Sequence, residues 1–181
     1  MLLYWLWLNG LEDFSRKQKL ELLQQFSDPL SLFQCKDYSQ IPGLTQAQLE
    51  QLQNKSLAKA EALQNTCLRK NIEILTLDDE KYPARLRNIC EPPILLFYKG
   101  LLPDFEKMPA IGVVGTRKAT GYGLGVARDF GKQLSVCGGL VVSGGAKGID
   151  SAALVGALDA EGQTVTVLGC GVDVVYPRNN R

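Results

Sequence analysis

Apolar positions change their spacing along the chain, and each change predicts a different kind of element. From residue 1 to about 70 the sequence is rich in Leu, Gln and Lys with helical intervals: Leu20, Leu23 and Phe26 stand at i, i+3 and i+6, and Leu49, Leu52 and Leu63 continue a similar pattern. Turn signals in "SDPL" and "IPGLT" cut this region into short helices. Beyond residue 70 the apolar residues gather into runs. "NIEILTL" and "PPILLFYKG" read as strands, with "YPARLRNI" between them as a turn or short helix. A loop with two prolines, "LLPDFEKMP", follows, and the pattern then becomes regular. Strands are predicted at "AIGVVGT" (110 to 116), "GLVVSG" and "QTVTVLG", separated by helices over about 121 to 137 and 149 to 161. Gly138 and Gly162 are expected to stop those helices in the left-handed conformation. Their predicted inward faces are Val126, Phe130, Leu134 and Cys137 on the first, and Ile149, Ala153, Gly156 and Ala157 on the second.

Strands that are apolar throughout and alternate with helices imply a parallel sheet with helices on both faces. The fold class is therefore α/β: a small all-helical module over 1 to 70, then an extended Rossmann-like domain over 71 to 181. Within the module, "IPGLTQAQLEQL" resembles the hairpin of a helix-hairpin-helix unit, whose amides can hold a DNA phosphate. The same residues also fit a plain helix-helix turn capped by Thr45.

Composition narrows the chemistry. The chain has 181 residues, 45% apolar and 22% charged, with a formal net charge of +1, so any polyanion must be held by locally placed charges. Histidine is absent, which removes imidazole general-base chemistry and most zinc sites. The five cysteines form no CxxC pair and no metal-ligand spacing, and read as buried thiols of a reducing cytosol. The N-terminal "LLYWLWL" is too short for a targeting segment and has no basic residue before it, and no run reaches the ~20 apolar residues of a membrane span. A cytoplasmic protein without membrane contact is expected.

Each predicted strand delivers a glycine-bearing loop to one edge of the sheet: "VGTRKATGYG", "SGGAKGID" and "GCGVDVVYP". Open α/β folds bind ligands at that edge, where helix N-termini present amides. Thr116 and Ser143 offer hydroxyls, Gly144, Gly145 and Gly148 allow close approach of main chain, and Arg117 and Lys147 carry positive charge. Neither GxGxxG at a strand-helix junction nor GxxxxGK[ST] occurs, which disfavours a dinucleotide or P-loop site. Asp150 is expected to cap amides at a helix start. The chain reads as a binding protein with no catalytic set, cofactor or metal.

The strings "YPARLRNICEPPILLFYKG", "IGVVGTRKATGYG", "VVSGGAKGIDSAALVGAL" and "GQTVTVLGCGVDVVYPRNN", in this order, resemble the DNA-processing protein A family, DprA or Smf. The resemblance runs from about residue 70 to the end, and the helical N-terminus is similar to the small SAM-like or helix-hairpin-helix domain of many members. It implies a homodimer that binds single-stranded DNA, protects incoming DNA in natural transformation and helps load the recombinase RecA. It implies no enzymatic activity. The DNA-contacting basic positions implied are Arg117 and Lys147, with the backbone of Gly115, Ser143, Gly144 and Gly145 lining the same pocket. Tyr122 and Tyr176 are candidate platforms for bases or packing residues. Two departures stand out. Leu154 occupies a position where members commonly have histidine, and the sequence stops at "YPRNNR", where the family continues with further sheet elements. A sheet left unfinished there is expected to expose an apolar edge. The rival classes are a nucleotide-processing enzyme related to phosphoribohydrolases, whose PGGxGTxxE string is missing, and a degenerate member serving as a protein-interaction platform.

Overall fold

The computed structural model describes residues 1–177 and divides the chain into two compact units, Met1–Lys99 and Gly100–Arg181. The first unit begins with α1 (Leu2–Asn9), a helix apolar on nearly every side. Such a helix has no face for water and is driven inside: Trp5, Leu6, Trp7 and Leu8 are all buried. Around it lie α2 (Arg16–Phe26), α3 (Pro29–Gln34), α4 (Gln46–Gln53) and α5 (Ala58–Arg69), contributing Leu22, Leu32, Leu52 and Ala60 to one core. The predicted face of Leu20, Leu23 and Phe26 packs partly buried against that core, while Leu63 is exposed.

Local chemistry sets where these helices start. Ser15 and Thr45 each close a capping box, with Gln18 and Gln48 returning a bond to the cap backbone. Asp28 accepts the Ser31 N–H at 2.8 Å, with Pro29 at the first helical position. In "IPGLT", Gly43 takes a φ of 75° and Thr45 is the cap of α4, which is the helix-helix turn that the sequence allowed.

The first unit also holds an antiparallel pair, β1 (Glu73–Thr76) and β2 (Leu95–Tyr98), joined through α6 (Ala84–Arg87) and running in register from Glu73↔Tyr98 to Thr76↔Leu95. Ile94 and Leu95 belong to the helical core, and Ile74 and Phe97 pack against it. The compact division therefore falls at Lys99, whereas the sequence places a boundary after residue 70. Apolar spacing near residue 70 marks a change of secondary structure without a change of core.

The second unit contains β3 (Ala110–Gly112), α7 (Gly121–Val136), β4 (Leu140–Ser143), α8 (Ile149–Asp159) and β5 (Thr164–Thr166). The strands form a parallel sheet in the order β3-β4-β5, flanked by helices, with Ile111 opposite Val141 and Val142 opposite Val165. Its core gathers Val141, Ala153, Leu154 and Ala157, with Val113 and Leu134 packed against them. Leu154 thus serves as a core side chain.

Helices α7 and α8 meet almost backbone to backbone. A Cβ on Gly131 would overlap the carbonyl oxygen of Ala153, and one on Gly156 would overlap that of Arg128. Small residues make this seam: Ala127 and Gly131 on one side, Ala153, Gly156 and Ala157 on the other, all buried. The inward face predicted for α7 is therefore rotated. Val126 and Phe130 are 48% and 54% exposed and Cys137 is exposed; of that set only Leu134 is drawn inward. Arg128 fastens the seam at its rim, its Nε and Nη2 lying 2.8 and 2.6 Å from Oδ2 of Asp159.

Gly138 stops α7 with a φ of 77°, as predicted. After α8 the left-handed residue is Glu161, at φ 57°, one position before the expected Gly162. Gly162 is needed for space, since a Cβ there would overlap Ser135. Of the cysteines, Cys67 is buried and Cys35 half-buried, but Cys90, Cys137 and Cys170 are exposed, so the uniform burial expected of them is corrected. Among the described residues no helix is long and apolar enough to cross a membrane, and no group of three acidic, Cys or His side chains could hold a metal ion.

Candidate nucleic-acid interface

The loop after β3 and the loop after β4 are clasped together, and their glycines are what permits it. A Cβ on Gly115 would come within 2.7 Å of the Ile149 side chain. Gly148 has a φ of 100°, and a Cβ there would overlap the Thr116 carbonyl oxygen and lie 2.9 Å from the Arg117 Cα. Gly144 faces Asp150, and Gly145, at φ 67°, packs on the Thr166 side chain. Arg117 and Lys147 are thus carried on segments in main-chain contact, although thirty positions separate them in the sequence.

Hydrogen bonds complete the clasp. Asp150, 6% exposed, accepts the Gly115 N–H on Oδ1 at 3.1 Å and the Gly144 N–H on Oδ2 at 3.2 Å. It ties two loops together instead of capping its own helix. Ile149 N–H donates to Thr116 O at 3.3 Å, Ser151 N–H to Ala146 O at 3.1 Å and Ala152 N–H to Gly148 O at 3.0 Å. Ser143, 3% exposed, donates its hydroxyl to Val113 O at 2.6 Å. Thr116 Oγ1 accepts the Lys118 N–H at 3.1 Å.

This changes the expected pocket. The amides of Gly115 and Gly144 and the Ser143 hydroxyl are engaged inside the protein, so they do not offer donors to an outside phosphate. The reason is that a carboxylate at the start of α8 reaches the two amides first. Gly145 and Gly148 act through space and backbone conformation. What faces water is charge: Arg117 and Lys147 are exposed, and so is Lys118, which sequence reasoning misses although it adjoins Arg117. None of these three side chains makes an ion pair or hydrogen bond among the described residues.

The two aromatic candidates sit differently. Tyr122, in the first turn of α7, is 84% exposed, and the next residue, Gly123, would bring a Cβ to 3.7 Å from Ile149 Cδ1. Tyr122 therefore stands beside the clasp. Tyr176, 47% exposed, lies on the irregular segment after β5, outside the two clasped loops. At the N-terminus of α7, Thr120 Oγ1 accepts the Gly123 N–H at 3.2 Å, so that amide is also engaged within the protein.

Comparison with known proteins places this arrangement. The family model described as DNA recombination-mediator protein A matches residues 73–181. Protein Smf of Synechocystis is 42% identical over 115 residues, covering 62% of this chain and 29% of that protein. The X-ray structure of DNA processing protein A from Streptococcus pneumoniae superposes with a TM-score of 0.71 at 29% identity, over 98% of this chain and 60% of that one. DNA processing protein A from Helicobacter pylori, described as having a unique single-stranded DNA binding mode, superposes at 0.52 with 28% identity over 61% of this chain and 49% of that one. The chain spans less than two thirds of the length of each of these relatives. With the family model covering well over half of its residues, the chain belongs to the DNA recombination-mediator protein A family, the DprA/Smf proteins.

Proposed function

We propose that this chain binds single-stranded DNA along the clasped edge of its second unit. Arg117, Lys118 and Lys147 grip successive backbone phosphates, and Tyr122 and Tyr176 offer stacking faces. The observation that carries this reading is the division of labour in the clasp: the Gly115 and Gly144 amides are engaged internally while three unpaired cations face outward. A free nucleotide's terminal phosphate is best held by convergent amides. A phosphodiester strand needs only side chains spaced along it, with Arg binding in a fork and Lys as a point charge. Family membership and the H. pylori relative support the same ligand. In the whole protein, this binding serves to protect incoming DNA during natural transformation and to help load RecA. It does so as a cytoplasmic homodimer without cofactor or catalytic step.

The test is a titration of labelled oligo(dT) against dTMP at two salt concentrations. For single strands the logarithmic salt slope is about −0.7 per phosphate neutralised, so three cations give roughly −2, an about 20-fold loss of affinity from 50 to 200 mM salt. Arg117→Ala and Lys147→Ala should each weaken oligo(dT) binding and flatten the slope by about 0.7. Equal affinity for dTMP would favour a nucleotide-processing enzyme, and indifference to both substitutions would favour an interaction platform; either result sinks the proposal.

A further inference from the structure

We propose that Asp150 is the positioning and specificity residue of this edge: its carboxylate is a resident anion that fills the main-chain cradle between the two loops from inside. The inference rests on the single-stranded DNA reading above and concerns how that ligand is selected. Each carboxylate oxygen takes the amide of one loop, Gly115 N–H at 3.1 Å and Gly144 N–H at 3.2 Å, and the residue is 6% exposed. It also sits in the first turn of α8, where the helix dipole favours a negative charge.

An incoming phosphate would make the same two bonds with two of its oxygens. Asp150 is covalently attached and always present, so a free phosphate or the terminal phosphate of a mononucleotide must displace it and meets like charge on approach. A phosphodiester within a strand carries one negative charge where a terminal phosphate carries nearly two, so it is repelled less and can be held by the exposed cations without displacing the carboxylate. The carboxylate also fixes spacing. Gly115 lies two residues before Arg117 and Gly144 three before Lys147, so bonds to both amides hold the two cation-bearing segments in one register.

The experiment compares the full chain with Asp150→Ala and Asp150→Asn, using oligo(dT) titrations and thermal melts. Sodium formate and inorganic phosphate are added in turn, each against sodium chloride at matched ionic strength. Asp150→Ala should bind oligo(dT) at least tenfold more weakly, and formate, a carboxylate small enough to refill the vacated cradle, should restore most of that loss. Inorganic phosphate should raise its melting temperature and leave the wild type unmoved. Asp150→Asn keeps the shape and one acceptor but turns its NH2 against the other amide. It should fold, bind at least fivefold more weakly and gain nothing from formate, with its salt slope unchanged because the three cations remain. Wild-type oligo(dT) affinity in Asp150→Asn overturns the proposal even if Asp150→Ala does not fold. A soluble Asp150→Ala that neither formate nor phosphate affects also overturns it. If the wild type itself ignores oligo(dT), the DNA reading fails while the melts still decide the role of Asp150.

Discussion

Gly148→Ala tests the clasp most directly. The residue has φ 100° and ψ −131°, a conformation that side chains avoid, at a cost of about 1 to 3 kcal/mol. A Cβ there would also overlap the Thr116 carbonyl oxygen and stand 2.9 Å from Arg117 Cα. Both obstacles are backbone and cannot rotate aside, so an overpacking cost of about 1 to 3 kcal/mol is added. The sum, about 2 to 6 kcal/mol, is a large share of the ~5 to 15 kcal/mol that stabilises an ordinary domain. For a domain of this size, 3 kcal/mol corresponds to roughly 12 to 24 °C in melting temperature. Gly138→Ala is the matched control: its φ is 77° but nothing lies within 4 Å of where its Cβ would stand, so only a conformational cost of about 1 to 2 kcal/mol applies. Far-UV circular dichroism melts follow the helices of both units, while tryptophan fluorescence follows the first alone, because the two tryptophans are Trp5 and Trp7. The fluorescence midpoint should hold while the part of the dichroism transition that fluorescence does not follow moves to lower temperature. A Gly148→Ala protein within about 1 kcal/mol of Gly138→Ala would refute the clasp as a steric contact between loops.

Two further predictions concern packing and titration. Gly125 lies within α7 with open space around it, so Gly125→Ala should stabilise the second unit by about 0.5 to 1 kcal/mol, whereas Gly131→Ala, whose Cβ overlaps the Ala153 carbonyl, should destabilise it by about 3 kcal/mol or more; urea melts separate the two. Burial, aided by the nearby Cys35, pushes the Tyr38 hydroxyl from 10.0 up to about 12, so the folded state holds its proton more tightly than the unfolded one. The stability from this group is full below pH 10 and is lost as pH rises toward 12, and ultraviolet titration should show a tyrosine ionising well after the others.

The elements of the second unit are legible in the sequence because each is short, strongly patterned and bounded by glycine. Which way α7 faces is not. Hydrophobic periodicity sends the largest apolar side chains inward, and on that basis Val126 and Phe130 belong to the core. The seam instead selects the smallest residues, since Gly131 and Gly156 let the two backbones touch. A helix pair at van der Waals contact between main chains inverts the usual ranking of size and burial. The same blindness affects "LLYWLWL": its lack of a polar face shows that it must be covered, but only the packed structure makes α1 the centre of a core that also claims β1 and β2.

At the edge, residue types reveal chemistry while their partners stay hidden. "SGGAKGID" advertises amides to any anion, and a carboxylate two residues past the last glycine is the anion nearest to hand. Sequence spacing cannot show that its oxygens reach Gly115, thirty-five positions earlier, as readily as Gly144. Once they do, the clasped edge meets a polyanion with the side chains of Arg117, Lys118 and Lys147, on a chain whose net charge is +1. Three phosphate contacts give a salt-sensitive hold that is weak for one chain. Two such edges linked in one assembly make the second engagement intramolecular, at an effective concentration that can raise overall affinity ~10²- to 10⁴-fold without a new contact. The proposed homodimer is therefore the simplest way for a nearly neutral protein to hold a long strand through an edge that presents these three cations.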